Sequence, residues 1–319
     1  MSEAGQKSGS AILDETSKSK SAWWEVRRVG PEGPPPFTEL ESALAARVAA
    51  QVADGKFTIP QIPTLAIEAM NLLARQDSDL KQIADVVSRD QRLAADLLST
   101  ANSAMFAGAA KATNLSSALM RVGFRRARSV LLQACLRGAM YSGAEVKRAE
   151  KLWRHSCAAA AASARIAKNL GLNADDYYLC GLFHDVGKLV VLALLDQIGL
   201  RSSPKPIRAE VVEQIVEDFH ERVGAEVAMQ WGLPDDVVDV VQRHREKDAT
   251  TMTAAQAVVS VADFCCRRLG AGASDTESDD GSPVAGLLAL RTLQFTPDRL
   301  AMLLDGVRED IMEMAQRNS

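Results

Sequence analysis

The chain has 319 residues, a formal net charge of −4 and 47% apolar residues, which suits one large or two modest globular domains and gives no long-range pull toward nucleic acid. Aromatic residues make up only 5%, and long stretches lack both proline and glycine, so an all-α fold is expected. The opening MSEAGQKSGSAILDETSKSK has no apolar run of the signal-peptide kind and no segment offers about 18 uninterrupted apolar residues, so no membrane span is expected and the cytoplasm is the expected compartment.

Residues 1–36 are rich in Ser, Lys, Gly and Pro and end in the run Gly30 to Pro36, whose consecutive prolines exclude a helix. They read as a disordered tail, with Trp23 and Trp24 as either a docking element or a loosely folded-back segment. From Thr38 onward apolar residues recur at helical spacing: Leu65, Met70, Leu72 and Leu73, then Leu80, Ile83, Val86 and Val87, then Leu93, Leu97, Leu98 and Met105. A longer helix is predicted after Asn114, with Ser116 and Ser117 as caps and Leu119, Val122, Val130, Leu131 and Leu136 on its buried side. These elements form an N-terminal helical part over 37–144.

A second part, 145–270, opens with an alanine-rich helix in which Ala158 to Ala162 allow close approach of a neighbour. Asn173 is the predicted cap of one continuous helix running through LFHDVGK to about Leu195. The helix after Pro204 and Pro206 stops at Gly232 and Pro234, Asp235 caps a short helix reaching His244, and another spans Ala254 to Leu269. An acidic linker is expected at 271–283, followed by C-terminal helices over 284–319, with Thr296 and Pro297 starting one whose Leu300, Leu303, Val307 and Ile311 face inward. The cysteines, Cys135, Cys157, Cys180, Cys265 and Cys266, are odd in number and lie in apolar helical patterns, which favours buried free thiols over a disulfide framework.

The most informative string is Leu182 to Lys188, where His184 and Asp185 stand side by side in apolar company. Such a pair is costly to bury without a partner. If helical, the two side chains diverge by about 100° and can reach one metal ion beside the helix. Lys188, one turn on, can place an ammonium where a phosphate would bind. The other histidines, His155, His220 and His244, all lie in the same half on apolar stripes, as does Asp263. Each alone reads as a satisfied core residue rather than a ligand, and Asp263 can pair with Arg267 one turn away. Together, His155, His184, Asp185, His220, His244 and Asp263 form a set able to hold one or two metals.

The order His155, His184–Asp185, Asp263 resembles the H…HD…D pattern of the HD superfamily of metal-dependent phosphohydrolases. The resemblance sharpens to the HDOD family in FTIPQIPTLAIEAMNLL, DQRLAADLLSTANSAMF, LSSALMRVGFRRARSVLL, LWRHS, GLFHDVGKL and HERVGAEVAMQWGLP, spanning Phe57 to His244. It implies an N-terminal helical layer packed on an HD-like bundle, in a bacterial signal-transduction module that acts by binding a signalling protein partner or a small phosphorylated ligand. The alternative it implies is a phosphohydrolase or phosphodiesterase using Mn, Fe, Mg or Zn, with Asp185 and Lys188 in catalytic roles. Two departures stand out. Gln91 replaces the proline usual after the Asp, and His244 is followed by Arg245 and Glu246 where the related HD-GYP phosphodiesterases carry a second His and a Gly-Tyr-Pro motif. Arg121, Arg125, Arg126 and Arg128 crowd one helix, but without interleaved aromatics beyond Phe124 they read as a solvated face rather than a nucleic-acid surface.

Overall fold

The computed structural model describes residues 37–59, 64–75, 79–103, 111–139, 146–200, 205–246 and 250–272, with Ser203, Asp248, residues 289–295, Leu303 and residues 305–309. The tail with Trp23 and Trp24, Met105, residues 273–283 of the linker, and Thr296, Pro297, Leu300 and Ile311 lie outside the described residues. Among the described residues the fold is all-α, without strands.

The first helix, α1 (Glu39–Ala53), begins in a capping box in which Thr38 and Glu41 satisfy each other's backbone amides. Then come α2 (Thr64–Ala74), α3 (Leu80–Ser88), α4 (Gln91–Ala101), α5 (Leu115–Val122) and α6 (Phe124–Ala139). Asp79 and Asp90 cap α3 and α4 with their carboxylates. The single helix expected after Asn114 is two. Asn114 caps α5 with Ser117, and Gly123, at φ +80°, turns the chain into α6. Helices α2 to α6 bury Ala66, Ile83, Val87, Leu97, Leu119 and Leu131 in a common apolar core.

The second group is α7 (Val146–Asn169), α8 (Ala174–Phe183), α9 (Val186–Ile198), α10 (Ala209–Gln230), α11 (Asp235–Arg243) and α12 (Ala254–Arg268). Here too one expected helix is two: the run after Asn173 breaks at His184 and Asp185, which close α8 and open α9. Phe183, Val191, Leu195, Ile215, Val227, Val240 and Val259 fill the core of this bundle. Together α8 and α9 are long and apolar enough to cross a membrane, but 94% of the stretch is buried inside the bundle. Helix α1 packs on α9 and α10, and its Leu44, Val48 and Val52 join the second core together with Met70 of α2. Arg208, just before α10, grips Glu41 from Nε at 2.8 Å.

The two groups meet where α6 crosses α8. The guanidinium of Arg126 lies 3.7 Å over the Tyr178 ring and pairs with Asp175 at 3.0 Å, and Arg125 pairs with Asp176 at the same distance. Arg121 donates to the Ala101 carbonyl at 3.1 Å. Much of the basic cluster on α5 and α6 therefore works within the fold.

Candidate metal centre

Close helix packing builds the site. A methyl group on Gly181 would meet the Ala159 carbonyl at 2.6 Å, so α8 rides directly on the alanine-rich face of α7. On the other side, a Cβ on Gly187 would fall 1.9 Å from the His220 carbonyl, and one on Gly224 would fall 2.7 Å from Val241 Cγ1. These glycines bring α9 against α10, and the small residues of α7 and α8 do the same for the opposite wall.

The six predicted side chains converge. His155 comes from α7, His184 and Asp185 from the α8–α9 junction, His220 from α10, His244 from the end of α11 and Asp263 from α12. Every one is at most 2% exposed. They fall into two triads, His155–His184–Asp263 and Asp185–His220–His244, with the candidate ligand atoms of each within 4.8 Å of one another. Asp185 stands between them. Its Oδ2 faces His184 Nε2 at 3.3 Å and His155 Nε2 at 3.6 Å, while Oδ1 faces His244 Nε2 at 3.5 Å and His220 Nε2 at 3.8 Å. Asp263 reaches His155 Nε2 at 3.0 Å while pairing with Arg267 at 3.1 Å, so the helical ion pair and the cluster coexist.

The imidazoles are oriented from behind. His184 Nδ1 donates to the Gly181 carbonyl at 2.8 Å, His220 Nδ1 to the Glu217 carbonyl at 2.8 Å, and His155 Nδ1 to the Ala271 carbonyl at 2.9 Å. A carbonyl can only accept, so in the neutral rings the proton sits on Nδ1 and the Nε2 lone pair points inward. The Nε2 atoms of His155 and His184 approach to 3.3 Å. Both oxygens of Asp185 and Nε2 of His220 and His244 are buried without a hydrogen bond. Imidazole nitrogens and a carboxylate that converge with these atoms left unbonded fit a divalent cation in chemistry.

The charges agree. Burial alone would raise the Asp185 carboxyl, but His184 and Lys188 hold it well below the usual carboxylate range. Burial pushes His220 down to about 3, with Arg245 and Lys188 adding to the effect, and pushes His244 down as well. Those imidazoles are neutral, the form that binds metal. Burial likewise drives the Cys180 and Cys265 thiols up to about 12, which keeps them protonated and out of thiolate chemistry.

Lys188 sits elsewhere than at an open phosphate position. At 2% exposure its ammonium lies 3.0 Å from Asp185 Oδ2, unaligned for a hydrogen bond to it, and 2.9 Å from Glu217. Glu217 also takes Arg245, and these two cations hold its carboxyl down at about 2 against burial. The sequence reading had missed Glu217, whose signal is its place one turn before His220 on the same face of α10. It saw Arg245 only as a replaced histidine.

Comparison with known proteins places this arrangement. The HDOD domain model matches residues 59–247, which include all the clustered residues except Asp263. A Treponema pallidum protein of uncharacterised function is 29% identical over 205 residues, 62% of this chain and 40% of its own length. Ribonuclease Y of Thermotoga petrophila is 28% identical over 36% of this chain and 18% of its own length. The chain thus spans well under half of these relatives. In fold it is similar to a candidate metal-dependent phosphohydrolase from Shewanella amazonensis SB2B (TM-score 0.69, 22% identity, 87% of this chain and 99% of that one). It is also similar to an HDOD domain protein of unknown function from Geobacter sulfurreducens (TM-score 0.60, 23% identity, 86% and 99%). A match over more than half its length makes this chain a member of the HDOD family.

Proposed function

We propose that this protein is a signal-transduction module that acts by binding a protein partner or a small phosphorylated ligand, and that its His/Asp cluster holds a divalent cation for regulation or structure rather than for turnover. The observation that carries this reading is burial. All six candidate ligands are at most 2% exposed, and the cations beside them are already paired, Lys188 with Asp185 and Glu217 and Arg267 with Asp263. The fold-level likeness to a candidate signal transduction protein from Marinobacter aquaeolei VT8 (TM-score 0.61, 19% identity, 88% of this chain and 66% of that one) is consistent with such a role.

The imidazole-rich donor set favours Mn, Fe or Zn over Mg. His155, His184 and Asp263 would hold one ion, His220 and His244 a second, with Asp185 shared. A bound ion supplies Lewis acidity and lowers the pKa of coordinated water, which is the basis of the second reading, a phosphohydrolase. The two triads joined by Asp185 favour that alternative.

Elemental analysis of protein purified without a His tag, beside Asp185→Ala, followed by a phosphatase and cyclic dinucleotide screen, tests both. The expected result is metal in the wild type, none in the variant, unchanged helical circular dichroism in both, and no turnover. Metal-dependent phosphoester hydrolysis lost in Asp185→Ala would move the protein to the enzymes. A metal-free, fully folded wild type that takes up none of these ions would leave the cluster purely structural.

A further inference from the structure

Three of the four imidazoles have their outer nitrogen fixed by a backbone carbonyl. His244 does not. At 2% exposure it has neither ring nitrogen in a hydrogen bond, and its own carbonyl is occupied by the Ser260 hydroxyl at 2.6 Å. His184 and His220 each use the carbonyl three residues back. His244 follows the last residue of α11 and makes no such bond. A carboxylate faces its Nδ1, that of Glu221, with Oε1 at 4.0 Å. That oxygen is itself buried and without a hydrogen-bond partner, although 36% of the Glu221 side chain is exposed.

We propose that Glu221 is the positioning residue of His244: its carboxylate accepts the His244 Nδ1–H and so holds the Nε2 lone pair toward Asp185. This deepens the cation reading above and rests on it for its functional meaning. The geometry requires little. A rotation about the Glu221 side-chain bonds that moves Oε1 by about 1 Å gives an ordinary N–H···O distance. Two buried groups of complementary chemistry, one acceptor and one donor, gain by that closure what each lacks now. Glu221 is the neighbour of His220 in α10, so a single turn of helix supplies one imidazole of the triad and orients the other. Arg245 also attracts the Glu221 carboxylate, but its guanidinium is held by Glu217, and Asp185 and Glu217 repel Glu221 from that side. Outer-sphere carboxylates of this kind set both the tautomer and the basicity of a ligating imidazole.

The chain has four histidines, so long-range proton–nitrogen correlation spectra of the metal-free, histidine-labelled protein can read each ring, with His244→Gln providing the assignment. The expected result is Nδ1–H for His244 in the wild type and in Glu221→Gln, whose amide oxygen still accepts, and loss of that single tautomer in Glu221→Leu. The same His244 tautomer in wild type and Glu221→Leu would overturn the proposal. Equilibrium dialysis with Mn(II) alone gives a second readout. Glu221→Leu should bind the ion about 10- to 100-fold more weakly, with Glu221→Gln in between, and equal affinity in all three overturns it as well. If the wild type takes up no Mn(II), the cation reading fails by itself, and the tautomer spectra still decide the role of Glu221.

Discussion

Lys188 Nζ lies 3.0 Å from Asp185 Oδ2, and both side chains are at most 2% exposed. The ammonium is the permanent cation nearest the carboxylate that joins the two triads, and Glu217 and Arg245 extend the arrangement toward the surface. Removing the lysine leaves two buried carboxylates facing each other with less to neutralise them. For metal-free protein, Lys188→Met is expected to lower the unfolding free energy by about 3 kcal/mol, the usual loss on breaking a buried pair from one side. Because the damage is an uncompensated charge, adding Glu217→Gln should make matters no worse than Lys188→Met alone. Urea denaturation of the two variants checks both statements, and a strictly additive double variant would contradict them.

At Gly187 two effects oppose each other. Alanine is the better helix former by about 1 kcal/mol, and Gly187 is in the first turn of α9. Its Cβ, however, would sit 1.9 Å from the His220 carbonyl and 2.7 Å from the Gly224 amide, both backbone atoms that cannot swing aside. The steric effect wins. Gly187→Ala is expected to destabilise by about 3 kcal/mol, at the upper end of ordinary overpacking, and to weaken metal uptake by pushing α9 off α10. Thermal melts with metal analysis of the surviving folded fraction test this.

Glu41 couples α1 to the start of α10. Its bonds with Arg208, then those with Thr38, hold its carboxyl well below the ordinary 4.5. A carboxyl with a depressed folded-state pKa contributes stability in full above its unfolded value and loses it as the pH falls toward the folded one. Wild type is therefore expected to be more stable than Glu41→Gln at pH 7, with the gap narrowing steadily below pH 4.5. Denaturation midpoints of the two proteins across pH 7 to pH 3 measure that gap, and a constant difference would be inconsistent with the ion pair as its source.

The apolar stripes and the capping residues made most of the helices legible, because a helix that buries one face must repeat its apolar residues near every third or fourth position. Asn173 forms the cap expected of it, whereas Asn114 rather than Ser116 or Ser117 caps α5, and α11 starts after Pro234 without the side-chain cap expected of Asp235. The break at His184 and Asp185 was not legible. Apart from Lys188 the run from Tyr177 to Leu195 is apolar on both sides of the pair, and the chain turns there because the histidine ring bonds back to the Gly181 carbonyl while the carboxylate faces side chains from three other helices. Residue type and order sufficed to nominate the six clustered side chains. The Lys188–Glu217 pair was hidden because it spans 29 residues and joins two helices whose relative rotation no local pattern encodes. The position of α1 was hidden for the same reason, since amphipathicity names the face a helix buries but not the surface that receives it.

The hydrogen bond from His155 to the Ala271 carbonyl carries a mechanical meaning. Ala271 is the second residue past Leu269, pinned by its own amide to the Cys266 carbonyl where the chain leaves α12, and the acidic sequence SDTESDDGSP begins three positions later, at Ser274. One peptide unit is thus both the backrest of a central imidazole and the root of an acidic stretch of the chain. A pull on that stretch, from whatever source, is delivered to the heart of the molecule over the length of a few bonds.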